Sequence, residues 1–60
     1  MRRWIIKDII QQRYWNENLS DFRQYLYVTK YYTRNDAEIV AKNIVKSHNN
    51  IAITILEIFI

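Results

Sequence analysis

Cysteine, glycine and proline are all absent from these 60 residues. Without cysteine there is no disulfide and no thiolate metal site. The single histidine, His48, excludes a multi-histidine metal centre within one chain. Phosphate-cradling loops use glycine at defined positions, so the usual nucleotide-binding motifs are excluded too. Turns must be made from Asn, Asp and Ser, which tolerate left-handed or side-chain-capped backbone. The candidates are Asn16-Glu17-Asn18 and Asn49-Asn50. Long apolar runs are missing as well. No stretch approaches the roughly 20 apolar residues that span a bilayer. The apolar segment after Met1-Arg2-Arg3 stops at Lys7-Asp8, too short for a secretory leader. The expected location is the cytoplasm, and no membrane partner is expected.

What the chain does have is apolar surface. Half of its residues are hydrophobic, in a length that allows one domain, residues 1–60. A domain of this size buries only roughly 60% of the surface its unfolded chain exposes. Small scaffolds usually need a disulfide, a metal or a partner chain to be stable. With the first two excluded, the surplus apolar surface points to a homodimer or a tightly held partner. The net charge of +3 lies entirely in the first half. There Arg2, Arg3, Lys7, Arg13, Arg23 and Lys30 outnumber Asp8, Glu17 and Asp21, whereas residues 31–60 balance. An acidic partner surface suits that half.

The clearest element is a helix. Thr33 is a good N-cap and Asp36 follows three residues later, like a capping box with Asp in place of Glu or Gln. Asp36 and Glu38 suit the positive end of a helix and Lys46 the negative end. Ala37, Val40, Ala41, Ile44 and Val45 recur at helical spacing as one apolar stripe. A helix is expected over about 34–48, closed by Asn49 or Asn50 in a left-handed cap. The run "IAITILEIFI", 51–60, is β-branched and apolar on both faces, so it reads as a strand. Ile51, Ile53, Ile55 and Phe59 share one face, as core or as a dimer contact. A strand apolar on both sides is expected to be central or to lie between chains. Glu57 within it is expected at an edge, near solvent or beside Arg or Lys, because burying its charge unpaired is costly. "YLYVTKYY", 25–32, is aromatic and β-branched and reads as a strand, preceded by a helical turn at Ser20-Asp21-Phe22-Arg23. Its buried face is left open, with Leu26 and Val28 on one side and Tyr25, Tyr27 and Tyr31 on the other. Residues 3–15 admit two readings. Ile5-Ile6 and Ile9-Ile10 are spaced like an amphipathic helix, which could lie on a membrane. Their Trp, Ile and Tyr content favours a strand, bulged or broken near Asp8. The expected fold is α+β: a small, mostly antiparallel sheet in ββαβ order with the helix on one face.

Tyr14-Trp15, a short polar loop, "LSDF" and then "VTKYYTRNDAE" resemble a loose class of small orphan proteins of phages and mobile elements. In that class an aromatic-Trp pair closes a first strand, and Thr-x-x-acidic-Ala-acidic opens a helix, as Thr33, Asp36, Ala37 and Glu38 do here. The similarity covers about 14–45. It departs at Asn16-Glu17-Asn18, where glycine usually follows the Trp, and at Val28, often Ala. Heavy use of Ile, Asn, Lys and Tyr is also what AT-rich genomes encode, many phages among them. The resemblance implies a sheet with one packed helix. It implies no activity of its own; that some small phage proteins inhibit host defence or metabolic enzymes favours the expectation of an inhibitor.

Catalytic chemistry finds little support in these residues. Ser47 and His48 are adjacent, and helix neighbours project about 100° apart, so they form no nucleophile–base pair. Asp36 and Glu38 diverge, and Asp8, Glu17 and Asp21 belong to separate elements. His48 reads as a structural residue near the helix C-terminus. The strongest signal is basic residues interleaved with aromatic ones: Arg2, Arg3, Trp4, Lys7, Arg13, Tyr14, Trp15, Arg23, Tyr25, Tyr27 and Lys30, continued by Tyr31, Tyr32 and Arg34. Arg, Trp and Tyr are the commonest hot-spot residues of protein interfaces. They also bind nucleic acid, by neutralising phosphates and stacking on bases, or serve only as sheet-face packing with basic stems around it. The expectation is a non-enzymatic protein without cofactors that inhibits or modulates a host protein or defence complex by contact, in the manner of anti-CRISPR inhibitors. A nucleic-acid-binding module is the alternative.

Overall fold

A computed structural model describes every residue except Leu26, Tyr27, Thr29 and Asn49. Its elements are β1 (Arg2–Asp8), β2 (Arg13–Asn16), β3 (Asp21–Arg23), α1 (Arg34–Ser47) and β4 (Ile53–Phe59). The strands form one antiparallel sheet in the order β3-β2-β1-β4. The fold is α+β, with α1 between β3 and β4 in sequence and packed on one face. β1 is the centre of the sheet. It pairs with β4 along its whole length, from Arg2 opposite Phe59 to Asp8 opposite Ile53. The two ends of the chain are therefore side by side, and the Ile60 N–H donates to the Met1 carbonyl at 2.9 Å.

Strand periodicity assigns the two faces. Trp4 and Ile6 of β1, Trp15 of β2, Phe22 of β3 and Ile53 and Ile55 of β4 turn towards the helix. They meet Ala37, Ala41 and Ile44 from α1, with Tyr32 and Ile51 closing the ends. Ile6 is 1% exposed there, and burying such a side chain is worth about 1.5–3 kcal/mol. Ala37 and Ala41 let the helix sit close to the sheet, as small side chains do at packed contacts. Ile5, on the opposite face, is also buried, at 2% exposure.

The helix matches the sequence pattern closely. The Thr33 side chain accepts the Asp36 N–H at 3.3 Å, and Lys46 lies in the last turn. His48 is the C-cap, with its N–H on the Ile44 carbonyl at 3.0 Å. Asn50 then adopts φ 56°, the left-handed conformation expected of this asparagine pair; Asn49 lies outside the described residues. Val45, expected in the buried stripe, is instead exposed.

One ambiguity is resolved and two expectations require correction. Residues 3–15 form no amphipathic helix; the strand reading holds, broken at Asp8 into β1 and β2. The spacing of Ile5-Ile6 and Ile9-Ile10 imitates a helix because one doublet lies in β1 and the other in the turn. The residues around 20–23 form β3 instead of a helical turn, since Phe22 pairs with Trp15 and stacks on it edge to face at 5.1 Å. The described residues of 25–32 make no strand. The Val28 N–H donates to the Tyr25 carbonyl at 3.0 Å, and among the described residues only Tyr32 is bridged, to Trp4. Tyr25 stacks on Tyr14 and Tyr32 bridges to Trp4, two separate contacts with no strand ladder between them. Leu26 and Tyr27 lie outside the described residues, and with them most of the question of which face is buried.

The final strand is not central, either: β4 is the edge of the sheet. Its residues are half-buried on both faces except Glu57 and Phe59, which are exposed. Glu57 pairs with Arg2 at 3.3 Å, as its charge requires.

The chain without glycine turns its hairpins in one way, twice. Asp8, the last residue of β1, is buried, and its Oδ1 accepts the N–H groups of Ile10 (2.9 Å) and Gln11 (3.2 Å). Asn16, the last residue of β2, is buried too, and its Oδ1 accepts the Leu19 N–H at 3.0 Å. Each turn ends on a left-handed residue, Gln12 at φ 59° and Ser20 at φ 50°. That conformation costs a residue with a Cβ roughly 1–2 kcal/mol, and the captured turn amides offset it. Asp8→Ala is therefore expected to lower unfolding free energy by about 1–3 kcal/mol, because two turn amides lose their acceptor. Asp8→Asn, which keeps an acceptor oxygen, is expected to lose far less. Urea denaturation of the two variants checks this, and equal losses would mean that the carbonyl-type oxygen is not what matters.

Candidate partner-binding face

The face turned away from the helix gathers residues from all four described strands. β1 supplies Arg3, Ile5 and Lys7. By register, Tyr14 of β2 lies opposite Lys7 and Arg23 of β3 opposite Tyr14. β4 supplies Thr54, Leu56 and Ile58, opposite Lys7, Ile5 and Arg3. Their contacts show why these residue types sit together. The Lys7 ammonium lies over the Tyr14 ring, 5.5 Å from its centroid. Tyr25 meets Tyr14 edge to face at 5.1 Å and is itself half-exposed. Arg23 is exposed and pairs with Asp21 at 3.4 Å; an exposed pair of this kind contributes only about 0–1 kcal/mol. Lys7, Tyr14, Arg23 and Tyr25 thus make a basic and aromatic cluster that extends towards Arg3.

Other residues of the expected surface go elsewhere. Trp4 and Trp15 lie on the helix side, partly buried against the core. Trp15 also meets the His48 ring edge to face at 6.2 Å. Both tryptophans serve packing, because strand parity puts them on the face that α1 covers. Arg2 is exposed on that same side, engaged with Glu57. Arg13 lies near the β1–β2 turn, and Tyr27 lies outside the described residues. Of the interleaved residues, the structure brings Arg3, Lys7, Tyr14, Arg23 and Tyr25 to one face, and it is the strand pairing that sets Lys7 opposite Tyr14.

Lys30 belongs to a second cluster. Its ammonium sits 3.3 Å from Glu17 and over the Tyr32 ring at 5.5 Å. The Tyr32 hydroxyl donates to the same carboxylate at 3.4 Å. Burial, first, and then the neighbouring Glu17 charge and hydrogen bond push the Tyr32 phenol up to about 12. The Trp15 indole N–H opposes part of that rise, yet it is buried without a hydrogen bond of good geometry among the described residues.

A polar cavity of about 240 Å³ opens where the β1–β2 turn meets the end of the helix. Asp8, Arg13, Asp21, His48 and Asn50 border it. Asp8 and Asp21 lie in separate strands, and the sheet brings them to one rim. Asp8 is already occupied by the turn amides. The His48 Nδ1 lies 3.0 Å from the Ile44 carbonyl, as suits a helix-capping imidazole. Among the described residues no group of three or more His, Asp or Glu side chains is placed to hold a metal. No described helix is long and apolar enough to cross a membrane. Compared with family models, curated proteins and solved structures, the chain matches none.

Tyr32 gives this region a measurable signature. The unfolded phenol ionises near its ordinary value of 10 and the folded one near 12. Between those values the unfolded state binds fewer protons than the folded one, so stability must fall as pH rises. The stability of the wild type relative to Tyr32→Phe is expected to decline from pH 10 to 12 and to be flat below 10. Urea unfolding across that range reads it. A flat difference throughout would mean that the phenol is not held neutral by its site.

Proposed function

We propose that the chain is a small non-enzymatic binding protein that acts by protein–protein contact, using the cluster of Arg3, Lys7, Tyr14, Arg23 and Tyr25. The observation that carries this reading is their assembly, from three strands and the following turn, on one side of the sheet. Tyrosine and arginine supply most of the binding energy in protein interfaces, and here rings and cations are already arranged against one another. A partner surface bearing carboxylates complements them and gains speed of association from the charge. The resemblance to small phage and mobile-element proteins supports a host protein or defence complex as the target, with inhibition by occlusion in the host cytoplasm.

Nucleic acid is the second reading, favoured by the same Lys7–Tyr14–Tyr25 grouping, since cations on phosphates and rings on bases are how single strands are held. Salt separates the two. Binding that rests on several phosphate contacts weakens steeply between low and moderate salt. Purification of the tagged chain from host cells, followed by mass spectrometry, is expected to retain a protein that a Lys7→Glu/Arg23→Glu/Tyr25→Ala variant loses. Its affinity for the triple variant is expected to be at least about 100-fold weaker. Retention of the same protein by the variant would overturn this face as the site. Salt-sensitive binding of single-stranded oligonucleotides, lost in the variant, would favour nucleic acid instead.

A further inference from the structure

We infer that β4 pairs with β4 of a second copy, making one continuous antiparallel sheet with its two-fold axis at Leu56. The backbone ladder identifies which groups of β4 find no partner among the described residues. Trp4 gives both its N–H and its carbonyl to Tyr32, each at 2.9 Å, so Trp4 faces away from β4. Antiparallel pairs alternate, so Arg3, Ile5 and Lys7 bond to Ile58, Leu56 and Thr54. The Ile9 N–H on the Ala52 carbonyl (3.0 Å) and the Ile60 N–H on the Met1 carbonyl continue that phase at either end. Hence Ile53, Ile55, Glu57 and Phe59 direct their N–H and C=O groups outward, along the edge where the sheet order ends. A largely apolar edge strand recruits another strand unless it is guarded. Proline is absent from the chain, β4 contains no lysine, and its one charge, Glu57, is paired with Arg2.

Shape and charge commit the occupant to a second copy. Beside β4 an apolar groove of about 590 Å³ runs between Ala41 and Val45 of the helix and Ile53 and Ile55 of the strand. Val45 is 51% exposed in it, and Phe59, on the same side of the sheet, is 81% exposed. Pairing the whole of Ile53–Phe59 with its own copy places Ile53 opposite Phe59 and Ile55 opposite Glu57. Each exposed Phe59 then comes to the end of the other copy's groove. Moving the register by two residues puts Glu57 opposite Glu57 one way and draws Phe59 past Ile53 the other. The rim is self-complementary as well. Glu38 and Glu57 border the strand near one end of the helix, Lys42 and Lys46 near the other, and a two-fold axis brings each end to its opposite. Arg34 and Arg2 already touch the two carboxylates, at 3.6 and 3.3 Å, but a carboxylate has room for further donors. The axis runs normal to the sheet, so both helices lie on one side and both basic-aromatic faces on the other.

Light scattering tests the assembly independently of any partner. At tens of micromolar the wild type is expected to weigh twice the 7.4 kDa of one chain. Phe59→Glu is expected to raise the dimer dissociation constant about 10–100-fold. With no native cysteine to interfere, single cysteines read the register. Leu56→Cys faces its own copy across a non-hydrogen-bonded pair, at a Cβ separation of roughly 4.5–5.5 Å. It is expected to give a disulfide-linked dimer on mild oxidation, whereas Thr54→Cys alone is not. If Leu56→Cys fails to fold, an equal mixture of Thr54→Cys and Ile58→Cys chains reads the same register by cross-linking to each other. A wild-type monomer mass would overturn the inference. So would self-linkage of Thr54→Cys.

Discussion

The β1–β4 ladder is the interaction on which the rest of the structure depends. It joins the first strand to the last along their whole lengths and sets the phase of every face. Once Ile6 and Ile55 look the same way, α1 has a floor to pack on. Once Ile5 and Leu56 look the other way, the far face has a buried apolar centre with Arg3, Lys7 and Tyr14 around it. The ladder is also the most non-local contact the chain makes. Its loop-closure entropy must be met before any of its pairs stabilises the fold. The two hairpins and the capped helix shorten that search by being locally encoded.

Local encoding is visible where glycine is missing. Asp8 and Asn16 stand at equivalent strand ends, eight residues apart, and each spends its side-chain oxygen on the following turn. Gln12 and Ser20 then accept the left-handed backbone. The polar groups that look like candidates for chemistry near the 240 Å³ cavity are largely committed to this work. Asp8 is a turn former first, and His48 closes a helix.

Legibility in the sequence followed the range of each signal. The helix was readable almost to the residue, because Thr33, Asp36 and the Ala37–Ala41–Ile44 spacing are local physics. The last strand was readable as a strand, and the partner of Glu57 as a cation. The strand's two apolar faces suggest a central strand or one between chains, and only Glu57 points to the edge that β4 occupies. The break near Asp8 was readable, but the extent of the β1–β2 turn was hidden by isoleucines, as Ile9 and Ile10 occupy positions where polar residues normally announce a turn. The tyrosines of 25–32 misled for a related reason. β-propensity describes residues that suit a half-buried surface, and Tyr25 and Tyr32 found such surfaces without joining a ladder. In the candidate face, the residue types were legible but their sidedness was not. Trp4 and Trp15 differ from Tyr14 only by strand parity, and parity needs the register.

Native-state hydrogen exchange tests the central claim most directly. If the β1–β4 ladder holds the fold together, the amides of Arg3, Ile5, Lys7, Thr54, Leu56 and Ile58 should exchange as one group. They should also be the slowest in the protein, opening only with global unfolding. If they exchanged readily while the amides of the β2–β3 hairpin stayed protected, the ladder would be a late addition to a fold held elsewhere, and the account would be contradicted.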